Sequence, residues 1–341
     1  MATSPGPSGT PTDPLFIIGT ERSGSNLLRL VLDAHPHITV PHPPHVMNYF
    51  GGLEDRYGDL EQAGPRRALA ADIAHLVAIH IHPWDITPHI DRMVADAQPK
   101  DLFGLFLALY AQHLESTSAR RWGCKSTFMI HHVDRILARF PNAGLLWLVR
   151  DPRDVAVSAR KSVFSPCAPR LSARLWARQQ AQGLALQARI GDRVHRMHYE
   201  DLVSRPEPTI RAACHHLGED FHPAMLRFSE TTSARKIAKM MDSWKNADAG
   251  FLKNNTEKWR TRLSPVELAA VEEEAGEQME ALGYARATDA GAPIADPFLY
   301  LREARLRAKV EWTSLRSDAN HWKRWRRRAF LTRLDARTRL P

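Results

Sequence analysis

Residues 15–26, LFIIGTERSGSN, constrain the fold more than any other stretch of this chain. Leu15–Ile18 is wholly apolar, too short for a helix of its own, and reads as a strand buried on both faces. It runs into Gly19 and Gly24, and the segment that follows, NLLRLVLDAH, has the apolar spacing of an amphipathic helix. Strand, glycine turn and helix in that order form half of a parallel β-α-β unit, because parallel strands need a crossover. The pattern recurs. RRWGC (120–124) reads as a strand ahead of helical IHHVDRILARF (130–140), and GLLWLV (144–149) as a buried strand ahead of helical VAVSARKSVF. RLSARLWARQQAQGLALQARI (170–190) reads as a long helix, RVHRMHYE (193–200) as a strand, and PEPTIRAACHHLG as a helix stopped by Gly218. In residues 264–283, Ser264 is the expected N-cap, Pro265 the first helical residue, Glu267 the rest of a capping box and Gly283 the stop. The expected class is α/β: a central parallel sheet flanked by helices in three layers. Residues 46–119 carry no clear strand signal and read as a helical insertion.

Composition excludes several classes. With 341 residues, 43% hydrophobic and 25% charged, the chain is neither fibrous nor mainly disordered. A domain of this size buries roughly three-quarters of its unfolded surface and needs no staple. Its apolar runs fall far short of the ~20 residues of a membrane span. The opening MATSPGPSGTPTDP has neither the positive nor the apolar region of a secretory signal, and residues 1–14 read as a disordered leader. Cys124, Cys167 and Cys214 form no CxxC pair, which argues against a zinc site and a disulfide framework and for a reducing cytoplasm.

The charge is concentrated at one end. Residues 301–341 hold 13 of the 47 Lys and Arg against 4 of the 38 Asp and Glu, so this tail accounts for the whole net charge of +9. The body is balanced, and the high pI is no sign of a nucleic-acid face on it. In the tail, Trp322, Trp325, Phe330 and Leu334 interleave with Lys323, Arg324 and Arg326–Arg328. Two readings stand: a helix packed on the body with its arginines in water, or a basic amphipathic helix on an anionic membrane surface. Nucleic-acid binding by the tail is a weaker third. The expected organisation is therefore a leader (1–14), a domain (15–290) and a basic helical tail (291–341), cytoplasmic, with peripheral membrane attachment as the variant.

Two turns carry chemistry. Gly19-Thr20-Glu21-Arg22-Ser23-Gly24-Ser25-Asn26 keeps the G-x-x-x-x-G spacing of a P-loop in the strand–loop–helix context that motif needs. Glycines allow a tight turn, so that successive N–H groups converge on an anion at the positive end of the helix. Yet Ser25 and Asn26 stand where a nucleotide triphosphatase has Lys and Ser or Thr, and Arg22 is the loop's cation. That disfavours triphosphate hydrolysis and leaves a P-loop-like site for a singly carried phosphate. The second turn, Arg150-Asp151-Pro152-Arg153-Asp154, follows a buried strand, at the edge where parallel sheets bind ligands. Ser158 comes about two helical turns later. Arg150 offers a forked donor and Ser158 a hydroxyl, a pair suited to a phosphate monoester. The competing reading makes Asp151 and Arg153 helix caps and Ser158 a packing residue.

Together these segments resemble the sulfotransferases that use 3′-phosphoadenosine 5′-phosphosulfate (PAPS). FIIGTERSGSNLLRLVLDAHPHI is similar to their 5′-phosphosulfate loop, in the Arg-Ser-Gly branch that includes carbohydrate and tyrosyl-protein sulfotransferases. LWLVRDPRDVAVS is similar to their 3′-phosphate segment. Similarity continues through GCKSTFMIHHVDRILARFPNA, MHYEDLVSRPEPTIRAACHHLG and the KWR…LS…LGY stretch, over roughly residues 15–285. The resemblance implies that the backbone of 22–26, with Arg22, Ser23, Gly24, Ser25 and Asn26, holds the phosphosulfate. It implies that Arg150 and Ser158 hold the 3′-phosphate and that Tyr199 contacts adenine, against the alternative of a buried sheet aromatic. Lys125, in GCKST, matches a lysine close to the transferred group. The implied reaction is in-line sulfuryl transfer to a hydroxyl or amine with release of 3′,5′-ADP, Arg22 and Lys125 stabilising the bridging and equatorial oxygens. It requires no metal.

One departure stands out. The tyrosyl-protein branch has a basic glutamate just after the first helix; here the region reads HPHITVPHPPH (35–45), with Pro43 at that place. His42 or His45 is the expected substitute, His42 slightly preferred, because neutral imidazole titrates near working pH. Glu54 and Asp55 are further candidates. His80 and His82 read as solvent-facing. A nucleotide kinase or other P-loop phosphotransferase, and a non-catalytic nucleotide-binding or membrane-associated protein on the same fold, remain as alternatives. The acceptor, whether small molecule, glycan or lipid, is expected to meet residues 46–119 and 228–256, with Trp84, Phe103, Phe106, Trp244 and Phe251 as either stacking or core residues. Lys245 and Lys253 are candidate aids to the donor site.

Overall fold

The structure, a computed structural model, describes residues 13–238, 248–252, 254–289, 296–318 and 320–339. The leader's first 12 residues, Trp244, Lys245 and Lys253 lie outside the described residues. Five strands occur among those described: β1 (Leu15–Gly19), β2 (Ile38–Thr39), β3 (Arg121–Lys125), β4 (Gly144–Val149) and β5 (Val194–His198). They pair in the order β2-β3-β1-β4-β5, with the chain's first strand at the centre. β2 runs parallel to β3 with Ile38 opposite Arg121, and β4 parallel to β5 with Leu145 opposite Val194. This is the expected parallel sheet flanked by helices. β1 and β4 are buried at every position, as their unbroken apolar runs require. β5, at the sheet's edge, buries Val194 and Met197 and leaves His195, Arg196 and His198 half-buried.

β2 has no counterpart in the sequence reading, because two residues carry no periodicity, and two expectations need correction. β5 ends at His198, so Tyr199 opens the helix Tyr199–Ser204 and is not a strand residue. His80 does not face solvent; it is buried, and His82 is half-buried beside it.

The chain divides into two compact units, one of Met1–Phe16, Leu32–Ala143 and Ala319–Pro341, the other of Ile17–Val31 and Gly144–Asp318. In the first unit, residues 46–119 contain the helices Val46–Phe50, Ala63–Ala78, Ile90–Asp96 and Leu102–Glu115. Trp84, Phe103 and Phe106 are core residues here: Trp84 meets Tyr110 edge-on at 5.1 Å between centroids, and Phe106 lies 4.7 Å from the same ring. The C-terminal helix His321–Arg339 packs on this unit. Its Leu334 is buried, Phe330 lies 4.8 Å from the His75 ring, and Asp335 accepts a 2.6 Å bond from Arg56. The helix makes these contacts without keeping all its arginines in water. Arg324 and Arg327 are 3% and 6% exposed, whereas Trp322 and Trp325 are 68% and 58% exposed.

In the second unit a buried polar relay fixes the loop after β1. Trp147 of β4 donates from Nε1 to Gln180 Oε1 at 2.9 Å, and Gln180 Nε2 donates to Thr20 Oγ1 at 2.7 Å. Gln180 reaches both because Gly183, one helical turn on, leaves room for the indole: a Cβ there would lie 2.3 Å from Trp147. The capping box forms as the sequence predicts, with Ser264 and Glu267 exchanging bonds at the start of Pro265–Ala281. Helix Leu299–Ser317 is held by Glu303, which accepts from the amides of Cys167 and Ala168. The three cysteines are free and buried. Among the described residues, no helix is long and apolar enough to cross a membrane.

Candidate functional site

All the residues expected at the donor belong to the second unit. After Gly19 the chain turns through Arg22 at φ 69° and Gly24 at φ 90°, and helix Ser25–Asp33 begins at once. Positive φ at two nearby positions folds successive amides inward, the geometry of an anion nest. The Ser23 amide closes the turn on Thr20 O at 3.3 Å. The first amides of the helix have no carbonyl one turn behind them and point outward from its positive end. Gly24 is required for a second reason. A Cβ there would lie 2.3 Å from the ring of Tyr199, which packs directly beneath the loop.

Arg22 and Ser158, expected to serve opposite ends of the ligand, touch each other. Arg22 Nε donates to Ser158 Oγ at 3.1 Å. Arg150 is 4% exposed and spans the two turns: it donates to Arg22 O at 3.2 Å and to Asn255 O at 2.7 Å, and its Cζ stands 4.1 Å over the Tyr199 ring. Asp154, on the helix Pro152–Ala159 that follows, lies 3.9 Å from Arg150, its carboxyl pushed up by burial. Burial, and then the charge of Arg150, lower the Arg22 guanidinium against the opposing pull of Glu21. Two buried donors in this group have no protein acceptor, Ser23 Oγ and Arg150 Nε. Orphaned donors are costly to bury, and an anion would satisfy both. Asn26 is partly committed elsewhere, its Oδ1 accepting from Arg29 at 3.1 Å.

The competing readings of the second turn are partly realised. Asp151 caps helix Pro152–Ala159 through the Arg153 amide, and Arg153 is structural, bound to Asp151 and to Glu272 at 2.8 Å. Tyr199 is buried (3% exposed), held by Asn255, which donates to its hydroxyl.

The residues expected near the acceptor, Lys125, His42 and His45, belong to the first unit. Lys125 is half-buried and ends β3. His45 precedes helix Val46–Phe50 in the left-handed region at φ 57°, its Nδ1 3.3 Å from Ser126 Oγ. Burial, then the charges of Lys125, His80 and Arg327, hold its imidazole well below the usual histidine range, so it is neutral near pH 7. His42 is buried, with its ring 5.2 Å from His80 and stacked 5.4 Å from His82, while its carbonyl accepts from Trp84. Glu54 is already used, accepting from the Leu102 amide at 2.9 Å.

Sequence reasoning missed four participants. Asn255 ties Arg150 to Tyr199, and Lys258, in the KWR segment, is lowered by burial and by Arg150. KWR belonged to the resemblance and was the available signal for Lys258. His80 and Arg327 lie far along the chain from HPHITVPHPPH, and no spacing links them to it. Among the described residues, no group of His, Cys, Asp and Glu is arranged to hold a metal ion.

Comparison with known proteins adds to this geometry. A family model described as "Sulfotransferase family" matches residues 14–223. The nodulation protein NoeE of Sinorhizobium fredii (strain NBRC 101917 / NGR234) is 26% identical over 329 residues, covering 88% of this chain and 73% of that protein. The sulfotransferase domain from the Synechococcus PCC 7002 olefin synthase has TM-score 0.56 at 24% identity, covering 83% of this chain and 99% of that one. The sulfotransferase domain from the curacin biosynthetic pathway has TM-score 0.54 at 19% identity, covering 81% and 99%. Both structural likenesses are likenesses of fold.

Proposed function

The chain belongs to the sulfotransferase family, and we propose that it moves a sulfuryl group from PAPS to a hydroxyl or amine of a small-molecule, glycan or lipid acceptor. The observation that carries this reading is the pair of buried, acceptor-less donors, Ser23 Oγ and Arg150 Nε, in a turn with two positive-φ residues. PAPS supplies an activated sulfuryl group and leaves as 3′,5′-ADP. Amides at 24–26 bind the phosphosulfate end with Ser23 and Ser25. Arg22 neutralises charge on the bridging oxygen, its side chain oriented by Ser158. Arg150 and Ser158 take the 3′-phosphate, the group that separates PAPS from other adenylates. Tyr199 supports the loop under Gly24 and carries the cation of Arg150, a role its packing favours over exposed stacking on adenine.

In the first unit Lys125 is assigned to the transferred group on the resemblance alone. His45 is preferred to His42 as the base. It is neutral at working pH, and Ser126 Oγ orients its Nδ1, whereas His42 is enclosed by two other histidines. The decisive experiment is calorimetry with 3′,5′-ADP, followed by turnover on pooled glycan, lipid and phenol acceptors. Uptake and turnover are expected. No uptake rejects the donor assignment; uptake without turnover on any pool favours a non-catalytic nucleotide-binding protein.

A second reading concerns the tail. The outward tryptophans of helix His321–Arg339 stand beside exposed Lys323, Arg326 and Arg328, a composition suited to an anionic bilayer surface. Flotation with phosphatidylserine vesicles should fall when Trp322 and Trp325 are both changed to Ser; unchanged flotation removes this reading.

A further inference from the structure

The turn after β1 is fastened to the second unit at two neighbouring side chains, of which the proposed function uses one. Arg22 reaches Ser158. Glu21, beside it, accepts a 2.8 Å bond from the hydroxyl of Ser165, which is 3% exposed. Ser165 is itself held from several sides. Its amide donates to Ser162 Oγ at 3.2 Å, its Oγ accepts from Ser162 Oγ at 3.4 Å, and its carbonyl accepts from Arg307 at 3.0 Å. Arg307 belongs to helix Leu299–Ser317, as does Glu303, which binds the Cys167 and Ala168 amides and pairs with Arg307 at 2.8 Å. All these residues belong to the second unit, yet the helix lies outside the residues 14–223 that match the family. A continuous set of hydrogen bonds thus runs from helix Leu299–Ser317 through Ser165 to Glu21.

What those bonds restrain is a strained turn. Arg22 stands at φ 69°, a conformation that costs a non-glycine residue energy and lasts only where its surroundings over-determine it. Thr20 is fixed by Gln180, Glu21 by Ser165, and the Arg22 carbonyl by Arg150. Losing the Glu21 anchor releases the residue directly before the strained one, and with it the direction of the guanidinium. Charge acts in the same sense, because Glu21 opposes the burial that lowers Arg22. We propose that Glu21 and Ser165 are positioning residues for Arg22, and that helix Leu299–Ser317 takes part in donor binding by holding the segment that carries Ser165. The effect on donor binding rests on the sulfotransferase reading above; the restraint on the turn does not.

The test uses the full chain. Ser165→Ala removes the bond and little else. It should weaken 3′,5′-ADP binding about tenfold in calorimetry, the scale of one hydrogen bond to a charged group, and should speed amide hydrogen exchange at residues 20–25 in the nucleotide-free protein. Glu21→Ala should match it, whereas Glu21→Gln, which keeps an acceptor for the hydroxyl, should recover most of the loss. In an Arg22→Ala background Ser165→Ala should cost less than about twofold, because both act through one side chain. Glu303→Ala should give a smaller loss in the same direction. Wild-type affinity and exchange in Ser165→Ala, or a further loss of about tenfold in the Arg22→Ala background, overturns the positioning role. Wild-type affinity in Glu303→Ala removes the helix from it. If the wild type takes up no 3′,5′-ADP, the donor reading fails and exchange alone decides: faster exchange at residues 20–25 in Ser165→Ala supports the restraint, and equal exchange overturns it.

Discussion

The two turns of the second unit proposed to hold the donor and the histidine cluster of the first are both buried and rich in cations, yet they are built on opposite principles. In the first case, the charged residues stand in two short motifs, although most of their partners come from distant segments of the same unit. Arg150 is fixed by two carbonyls, an aromatic face and Asp154, and the loop it supports is closed by Thr20 and Ser23. In the second, burial drives imidazoles neutral, and the cations that act on them arrive from β3 and from a helix two hundred residues further on. A motif-borne site can be read from spacing. A site assembled by burial is visible only after folding.

The largest expected effect tests the motif-borne half. Arg22→Ala should reduce turnover by ~10²–10³, the usual cost of losing one preorganised donor to a developing negative charge. Steady-state assay with 3′,5′-ADP detection measures it, and a loss of less than fivefold would return Arg22 to a purely structural role. Arg150→Ala comes next. Losing a charged hydrogen bond of about 1.5–3 kcal/mol should weaken 3′,5′-ADP binding roughly 10- to 100-fold while leaving AMP nearly unaffected. Equal losses for both nucleotides would detach Arg150 from the 3′-phosphate.

A smaller effect tests the burial-borne half. His80 titrates at about 3 in the folded protein against an ordinary histidine value near 6.5. The unfolded chain therefore takes up a proton first as pH falls through 6.5, and stability drops progressively until the folded ring titrates near 3. His80→Gln should flatten that decline by up to one proton between pH 6.5 and about 4, read from urea midpoints. An unchanged slope would mean that the ring is not held neutral. The smallest effect lies on the outer face of the tail helix, where Trp322→Ser should alter stability by no more than about 0.5 kcal/mol in thermal unfolding. A larger loss would show that the exposed indole is packed in solution.

Particular residues show how far the sequence could be read. Leu15–Ile18 and GLLWLV gave two central strands because a run apolar at every position fits a strand covered on both faces. Ser264, Pro265 and Glu267 gave a helix start because capping is local chemistry. Gly24 was legible as a turn residue, but its contact with Tyr199 was not, since the two are 175 positions apart. Tyr199 itself was placed one element too early, because alternation in RVHRMHYE does not show where pairing to β4 ends.

The chain's order of apolar runs, glycines and prolines determined the parallel sheet, the turn at Gly19–Asn26 and the arginine after β4. These depend on backbone conformation and on neighbours within a few residues. Tertiary structure alone decided that Arg22 reaches Ser158, that His80 lies beside His42, and that Arg327 turns inward while Trp322 turns out. Those outcomes depend on which surfaces exclude water once distant segments meet, and desolvation has no counterpart in the linear order of residues.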